Sequence, residues 1–471
     1  MNDAYDLVII GGGSAGLTAV SLAVQLGARV ALVERHRLGG DCTWTGCVPS
    51  KTLLKAARVA HQMRHADHHG LAPVDQEVDL KAVMAHVRDV IADVYEEESP
   101  AALRDEGVDV FLEEARFLDP HALAVGDVTL TFRHALIATG AHPSVPGIEG
   151  LDDVEYLTYE TIWDLEVLPK RLLVVGAGPV GCEMSQAFRR LGSEVTLVSS
   201  RDRILPRDDA EAAHVLEEVF ASEGIDVRPN SRAQRVYQEG GAIHVLTDDD
   251  QLVGDALMVA TGRRPSVEGL DLEKAGVSYS ARGIQVNDHL QTNQPGIYAA
   301  GDCLGGYQFT HYAGWQAFIA TRNALLPGAS DGILDRVPWT TFTDPELAHV
   351  GLTEEQARES LGDEVWICRW SMDQVDRART EGATSGFIKL VLQKDGTLLG
   401  ATAVAGRAGE MIQEWIHALE HGLNVGDLAE DIHVYPTYAT ASMKAAAEAR
   451  IMQLLSGTSG QIIRGLRRLL R

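Results

Sequence analysis

Apolar residues in this chain come in short solid blocks punctuated by glycine, not in single alternation. Residues 6–10, DLVII, predict a parallel strand buried on both faces; a glycine turn follows, then an apolar helix over 17–26, and ARVALVE predicts a second strand ending at Glu34. The same order returns in RLLVVGAGPVGCEMSQAFRRLGSEVTLVSS, beginning at Arg171. Two more apolar strands each run into a glycine turn, ALIATGAHPSVPG (135–147) and LMVATGRRPSVEG (257–269), and their likeness suggests a duplicated architecture. TNQPGIYAAGDC (292–303) predicts a buried strand that delivers Asp302 to its end. Beyond Pro338 the texture changes. Strands such as GFIKLVLQ and LLGATAVA and helices over 411–421 and 437–455 predict an α+β layer.

The glycines give the first blocks a chemistry. Gly11, Gly13 and Gly16 stand in G-x-G-x-x-G between strand and helix, where they permit a tight turn, close backbone approach to a pyrophosphate and a helix N-terminus that favours its charge; Glu34 can accept from ribose hydroxyls. Gly176, Gly178 and Gly181 repeat the fingerprint, so two dinucleotide sites are expected. In the second, the strand ends in Val198, Ser199, Ser200 and Arg201, with Arg203 close by and no carboxylate to repel a 2'-phosphate. NADPH is therefore expected over NADH, although Arg201 and Arg203 as plain solvated loop charges is the alternative. Gly140 and Gly262 mark the turns by which the chain leaves each dinucleotide layer. Asp302 either binds a sugar-like hydroxyl or caps the next helix.

The chain has 471 residues, enough for two to four domains at roughly 100 to 200 residues each. The expected fold is α/β: two Rossmann-like domains, the first over 1–150 and 281–340 and the second over 151–280, then a C-terminal α+β domain over 341–471. A net charge of −26 argues against a nucleic-acid partner, because phosphates would be repelled, and favours small molecules. The N-terminal stretch has neither a basic n-region nor a long apolar run, so neither a signal peptide nor a span is expected. Five cysteines are sparse and odd in number, which fits a reducing cytoplasm.

Two of those cysteines, Cys42 and Cys47, lie close together in GGDCTWTGCVPSKTLL (39–54). A zinc clip lacks a second ligand pair, and a structural staple across so short a loop gains little and would be reduced in a cytosol. A redox pair gives both residues a purpose. With GGDCTWTGCVPSK, the two glycine fingerprints, both ATG segments and GIYAAGDC, the chain resembles the class I pyridine nucleotide-disulfide oxidoreductases from Asp6 to about Leu455, a family that includes dihydrolipoamide dehydrogenase, glutathione reductase and mercuric reductase. The resemblance implies FAD in the first domain, NAD(P)H in the second and a homodimer built through the third. It implies that Cys47 is the flavin-proximal thiol that forms a charge-transfer thiolate and Cys42 the interchange thiol that meets the substrate. Lys51 is then the lysine beside the flavin and Glu183 the glutamate that pairs with it under the nicotinamide. A helix starting near Pro49 would lower the Cys47 thiol pKa.

The chain also departs from that family. Its disulfide reductases carry HxHPTxxE near the C-terminus, whereas this chain reads HVYPTYAT, with Tyr435 at the proton-transferring histidine and Thr440 at its glutamate. An unperturbed tyrosine titrates near ~10 and is a poor base at neutral pH. His433 is a weak substitute, because in a strand-like segment it should face the same side as Tyr435 and sit two residues away. Metal reduction needs thiolates and electrons but no proton donor there, so mercuric reductase is the relative most resembled. The cysteine pair that mercuric reductases present at the C-terminus and their N-terminal metal-binding domain are not in this sequence, which leaves quinones, other metal ions and small disulfides as alternative acceptors, and a flavin-bound regulatory or membrane-associated partner protein as an alternative of another class.

Three smaller features complete the reading. His61, His65, His68 and His69 are expected to be a solvated helix end before they are a metal site. Cys182, Cys303 and Cys368 are expected to be buried small hydrophobes. The tail sets Ile462, Ile463, Leu466, Leu469 and Leu470 opposite Arg464, Arg467, Arg468 and Arg471, a pattern suited to an anionic membrane surface or to packing on the dimer.

Overall fold

The computed structural model describes residues 4–456; the tail from Gly457, with its amphipathic pattern, lies outside the described residues. The chain divides into two compact units, one of 1–56, 79–169 and 256–335, the other of 57–78, 170–255 and 336–471.

In the first unit the solid apolar blocks become a parallel sheet in the order Asp109–Phe111, Val30–Val33, Tyr5–Ile10, Val128–Ile137, Ile297–Ala299. Leu7, Val8 and Ile9 are fully buried, as a strand covered on both faces requires. The long strand Val128–Ile137 serves two sheets: its C-terminal half pairs in parallel with Tyr5–Ile10, and its N-terminal half continues antiparallel to Ala122–Val125 and Ala115–Asp119. Helices Ser14–Gln25 and Thr310–Leu325 share one core through Ala15, Ala19, Ala313, Ala317 and Ala320. The two ATG segments meet, because Ala141–Pro143 and Arg263–Pro265 pair as an antiparallel ribbon.

In the second unit Arg171–Val175, Glu194–Val198 and Asp226–Arg228 pair in parallel, with helix Pro179–Leu191 after the first strand, and Arg235–Glu239, Ala242–Leu246 and Gln251–Gly254 form an antiparallel meander. The C-terminal layer is a five-stranded antiparallel sheet in the order Trp339–Thr341, Glu346–Gly351, Leu398–Ala405, Phe387–Gln393, Val365–Ser371. Helices Ala408–Glu420 and Thr440–Leu455 cover it, with Trp415 buried between them and its indole N–H donating to Ser442 Oγ at 3.1 Å. The helix expected over 437–455 starts at Thr440, three residues late, because 435–439 is a turn. Lys389 is 3% exposed within that sheet and is held by Asp209, Glu211 and Glu354 at 3.0, 2.7 and 3.1 Å. No described helix is long and apolar enough to cross a membrane.

Candidate active site

The first glycine loop has the shape its sequence calls for. Gly11 has φ +108°, and a Cβ there would sit 2.3 Å from Ala138 O; a Cβ at Gly16 would sit 1.9 Å from Gly11 O. Gly13 caps helix Ser14–Gln25 in extended backbone with no side-chain cap, so the helix begins three residues before the expected 17 and its first amides are not bonded by a side chain at the cap. The second loop repeats this geometry: Gly176 has φ +112°, Gly181 is buried, and Gly178 caps helix Pro179–Leu191 in the same extended conformation, again without a side-chain cap. A Cβ at Gly178, Gly140 or Gly262 would meet nothing within 4 Å. Glu34 follows its strand directly, and its carboxylate accepts from Gly12 N and His36 N at 2.8 Å each.

The cysteine stretch is more ordered than a loop. Gly40–Trp44 forms a short helix and a second helix, Cys47–Arg64, starts at Cys47 itself, two residues before the expected start. Gly40, at φ +57°, comes so close to the first glycine loop that a Cβ on it would lie 2.7 Å from Gly13 Cα. This contact seats the cysteine stretch on the first glycine loop. The Cys42 thiol is pushed far above its ordinary value, first by its hydrogen bond with Cys47 and then by burial, while Thr310 and Ser14 oppose the shift. The two thiols thus share one hydrogen bond, on a pair of sulfurs held side by side. Cys47 Sγ also lies 3.3 Å from Thr310 Oγ1, at the start of helix Thr310–Leu325.

Asp302 does not cap that helix, whose N-cap is Phe309 without a side-chain bond. Its carboxylate instead accepts from Arg263 Nη1 at 2.6 Å, with burial pushing its pKa up against the pull of that guanidinium. Lys51 Nζ reaches Ser50 Oγ at 3.3 Å. In the second unit Glu183 is buried and accepts from Phe342 N at 2.8 Å. Ser199, expected at the nucleotide, is buried, its hydroxyl accepting from Arg201 N at 3.1 Å and reaching Arg203 O at 3.3 Å, because the residue after Val198 is already turning. Ser200 and Arg201 remain exposed, and Arg203 lies 3.6 and 3.7 Å from Asp202 and Glu355.

The C-terminal segment also corrects the strand-like expectation. Residues 432–434 pair with no strand, and the two side chains take separate partners. His433 Nε2 lies 2.8 Å from Glu414 Oε2, whereas the exposed Tyr435 donates to Asp376 Oδ2 at 2.8 Å. That bond to a carboxylate pushes the Tyr435 phenol further up, away from a base's range. Cys182, Cys303 and Cys368 are buried, as expected. His61 and His65 stack at 4.2 Å and His68 lies tilted 5.6 Å from His65, and among the described residues no group of three or more His, Cys, Asp or Glu is placed to hold a metal.

Residues 5–317 match the family described as pyridine nucleotide-disulphide oxidoreductase, and residues 337–446 match its dimerisation domain. The chain belongs to this family. It is 38% identical to mercuric reductase of Bacillus cereus, over 92% of this chain and 70% of that protein, and 38% identical to dihydrolipoyl dehydrogenase of Thermus scotoductus, over 94% and 96%. The Cu(II) complex of the HOCl-induced flavoprotein disulfide reductase RclA of Escherichia coli is similar at TM-score 0.84 and 29% identity, covering 93% of this chain and 98% of that one. LpdA of Mycobacterium tuberculosis is similar at TM-score 0.86 and 30% identity, covering 94% and 99%.

Flavoproteins of this class use FAD and NAD(P)H, and the residues present fit both. Each loop offers a helix start without a side-chain cap, and a side chain at Gly178 or Gly140 would intrude on space that nothing in the chain fills. Sequence reasoning missed Thr310, Asp41 and Arg263. The start of helix Thr310–Leu325, Thr-His-Tyr, carries no signal that its first hydroxyl meets a cysteine 263 positions away.

Proposed function

We propose that this flavoprotein takes electrons from NADPH and passes them through Cys42 and Cys47 to a thiol-compatible acceptor, with a soft metal ion such as Hg(II) as the favoured class. The observation that carries the choice of acceptor is Tyr435, held on Asp376 with its phenol pushed up, where a disulfide reductase needs a proton donor. A metal ion leaves two thiolates without needing that proton. The names of the mercuric reductases, 36 to 38% identical, and of a Cu(II) complex among the similar structures support the same class.

Gly11, Gly13, Gly16, Glu34, Gly140 and Asp302 would hold FAD, with Lys51 beside it; Gly176, Gly178, Gly181, Gly262, Ser200 and Arg201 would hold NADPH, and Glu183 would serve the nicotinamide. When bound, FAD supplies hydride acceptance from NADPH and release of two electrons. Cys42 and Cys47 would be the redox pair: their S–S bond would take two electrons to give two thiolates and re-form as the acceptor takes those electrons, with Thr310 donating to the Cys47 sulfur and Cys42 presenting the second sulfur to the acceptor. The sum is NADPH and Hg(II) giving NADP⁺, a proton and Hg(0). The protein acts as a homodimer in the cytoplasm, a reading supported by the dimerisation domain and by Ile432 and Val434, 98% and 76% exposed within it.

Purified holoenzyme assayed with Hg(II), Cu(II), quinones and small disulfides under NADPH and NADH tests this. Cys42→Ala and Cys47→Ala should abolish metal reduction and spare any quinone reduction; Hg(II) reduction by both variants at the wild-type rate would refute the thiol route.

A further inference from the structure

Asp41, the residue immediately before Cys42, closes a polar ring with Arg263 and Tyr159, three residues to which the flavin-disulfide reading gives no role. Arg263 Nη2 donates to Asp41 Oδ2, its Nη1 donates to Asp302 Oδ2 at 2.6 Å, and its Nε donates to Tyr159 Oη at 3.1 Å. Tyr159 Oη–H in turn donates to Asp41 Oδ2 at 3.3 Å. One guanidinium thus bridges two carboxylates that are 261 positions apart by their numbers, one on the cysteine turn and the other at the end of strand Ile297–Ala299. Such charge-assisted bonds are the stronger kind, and the planar fork of arginine is the side chain that can serve both ends at once.

The rest of the turn is fixed independently. Thr43 Oγ1 donates to Glu98 at 2.7 Å, Trp44 Nε1 donates to Leu38 O at 2.6 Å, and Trp163 Nε1 donates to Thr45 O at 3.0 Å. Asp41 is therefore not needed merely to keep the turn in place. What it adds is a rigid connection from the peptide that carries Cys42 to the carboxylate assigned to the flavin's sugar chain.

We propose that Arg263 is a positioning residue that couples the seating of FAD on Asp302 to the placing of the Cys42 thiol through Asp41. This rests on the proposed flavin-disulfide reading. With the bridge intact, Cys42 is held against Cys47; with Asp41 disconnected, the turn keeps its other bonds but Cys42 gains freedom and loses a neighbouring negative charge.

The test compares wild type with Asp41→Asn, Tyr159→Phe and Arg263→Met. Three quantities are measured: FAD retained on purification, the iodoacetamide alkylation rate of Cys42 relative to Cys47 in the NADPH-reduced holoenzyme, and the pH dependence of that ratio. Asp41→Asn should retain FAD as wild type does and raise the Cys42 to Cys47 ratio about tenfold, the low end of what losing a supporting partner costs. Arg263→Met should show the same change together with weaker FAD retention, and Tyr159→Phe a smaller change in the same direction. A purely structural bridge would lower thermal stability and leave the ratio and its pH profile unmoved, which would overturn the proposal. Should Arg263→Met fail to fold, Asp41→Asn decides alone. If wild type retains no FAD, the underlying reading fails, and the same ratio in dithiothreitol-reduced protein still judges whether Asp41 positions Cys42.

Discussion

Cys47 Sγ and Thr310 Oγ1 lie 3.3 Å apart, joining the start of helix Cys47–Arg64 to the start of helix Thr310–Leu325. A thiolate at Cys47 has only lone pairs to offer, so the hydroxyl must donate to it. Hydrogen bonds to charged groups contribute roughly 1.5–3 kcal/mol. Thr310→Val should therefore raise the Cys47 thiol pKa by about one to two units. The alkylation rate of Cys47 against pH measures it, and an unchanged profile would show that the hydroxyl does not stabilise the thiolate.

Tyr435 is expected to be dispensable. Its hydroxyl is committed to Asp376, so Tyr435→Phe should change kcat/KM for metal reduction by no more than about twofold, while a functioning general acid or base would be worth roughly 100-fold or more. The double change Tyr435→His with Thr440→Glu should increase turnover of small disulfides by roughly tenfold or more, measured as NADPH oxidation with a disulfide panel.

Two glycines should fail differently. A Cβ at Gly16 would collide with Gly11 O at 1.9 Å, so Gly16→Ala should purify without flavin or not fold. A Cβ at Gly178 meets nothing of the chain, so Gly178→Ala should fold and keep FAD while KM for NADPH rises roughly tenfold, about 1.4 kcal/mol of lost binding. Flavin absorbance and NADPH kinetics separate the two.

Lys389 is held by three carboxylates, and removing it leaves the buried Asp209 without its cation. Lys389→Ala should destabilise the fold by about 3–5 kcal/mol, read from the shift in the urea midpoint.

The pH dependence of stability has an identifiable contributor in His349. It is fully buried between Thr402 Oγ1 at 2.8 Å and Gly351 O at 2.9 Å, and burial lowers its pKa from 6.5 to about 4. The unfolded chain binds the proton first, so this contribution is complete above about pH 6.5 and is lost as pH falls toward about 4. Asp208, pushed up by burial to about 6, works in the opposite direction, favouring the fold as pH falls below about 6. His349→Asn should therefore flatten the acid-side loss relative to wild type in urea titrations at pH 4.5, 5.5 and 6.5; parallel curves would remove His349 from the account.

The sequence announced the two glycine loops because strand, turn and helix stand together there within some thirty residues, and backbone conformation follows directly from that spacing. It also announced the layers, since solid apolar blocks and helical periodicity leave little choice. It did not announce what closes the site. Gly40 against Gly13, Arg263 between Asp41 and Asp302, and Thr310 on Cys47 are contacts between segments far apart in the chain, and no local period encodes them. Nor does the sequence show that the Ser199 hydroxyl, one position past its strand, bonds within the turn to Arg201 N and Arg203 O. A strand-like segment would face His433 and Tyr435 the same way, but an unpaired segment imposes no alternation, and each side chain follows its own carboxylate.

The measurement that bears most directly on the thiol relay is mass-spectrometric mapping of Cys42 and Cys47 in oxidised holoenzyme alkylated anaerobically before and after one equivalent of NADPH. Both residues should resist label beforehand, and both should become available afterwards. Equal labelling of the two cysteines with and without NADPH would contradict a role for this pair in carrying the electrons.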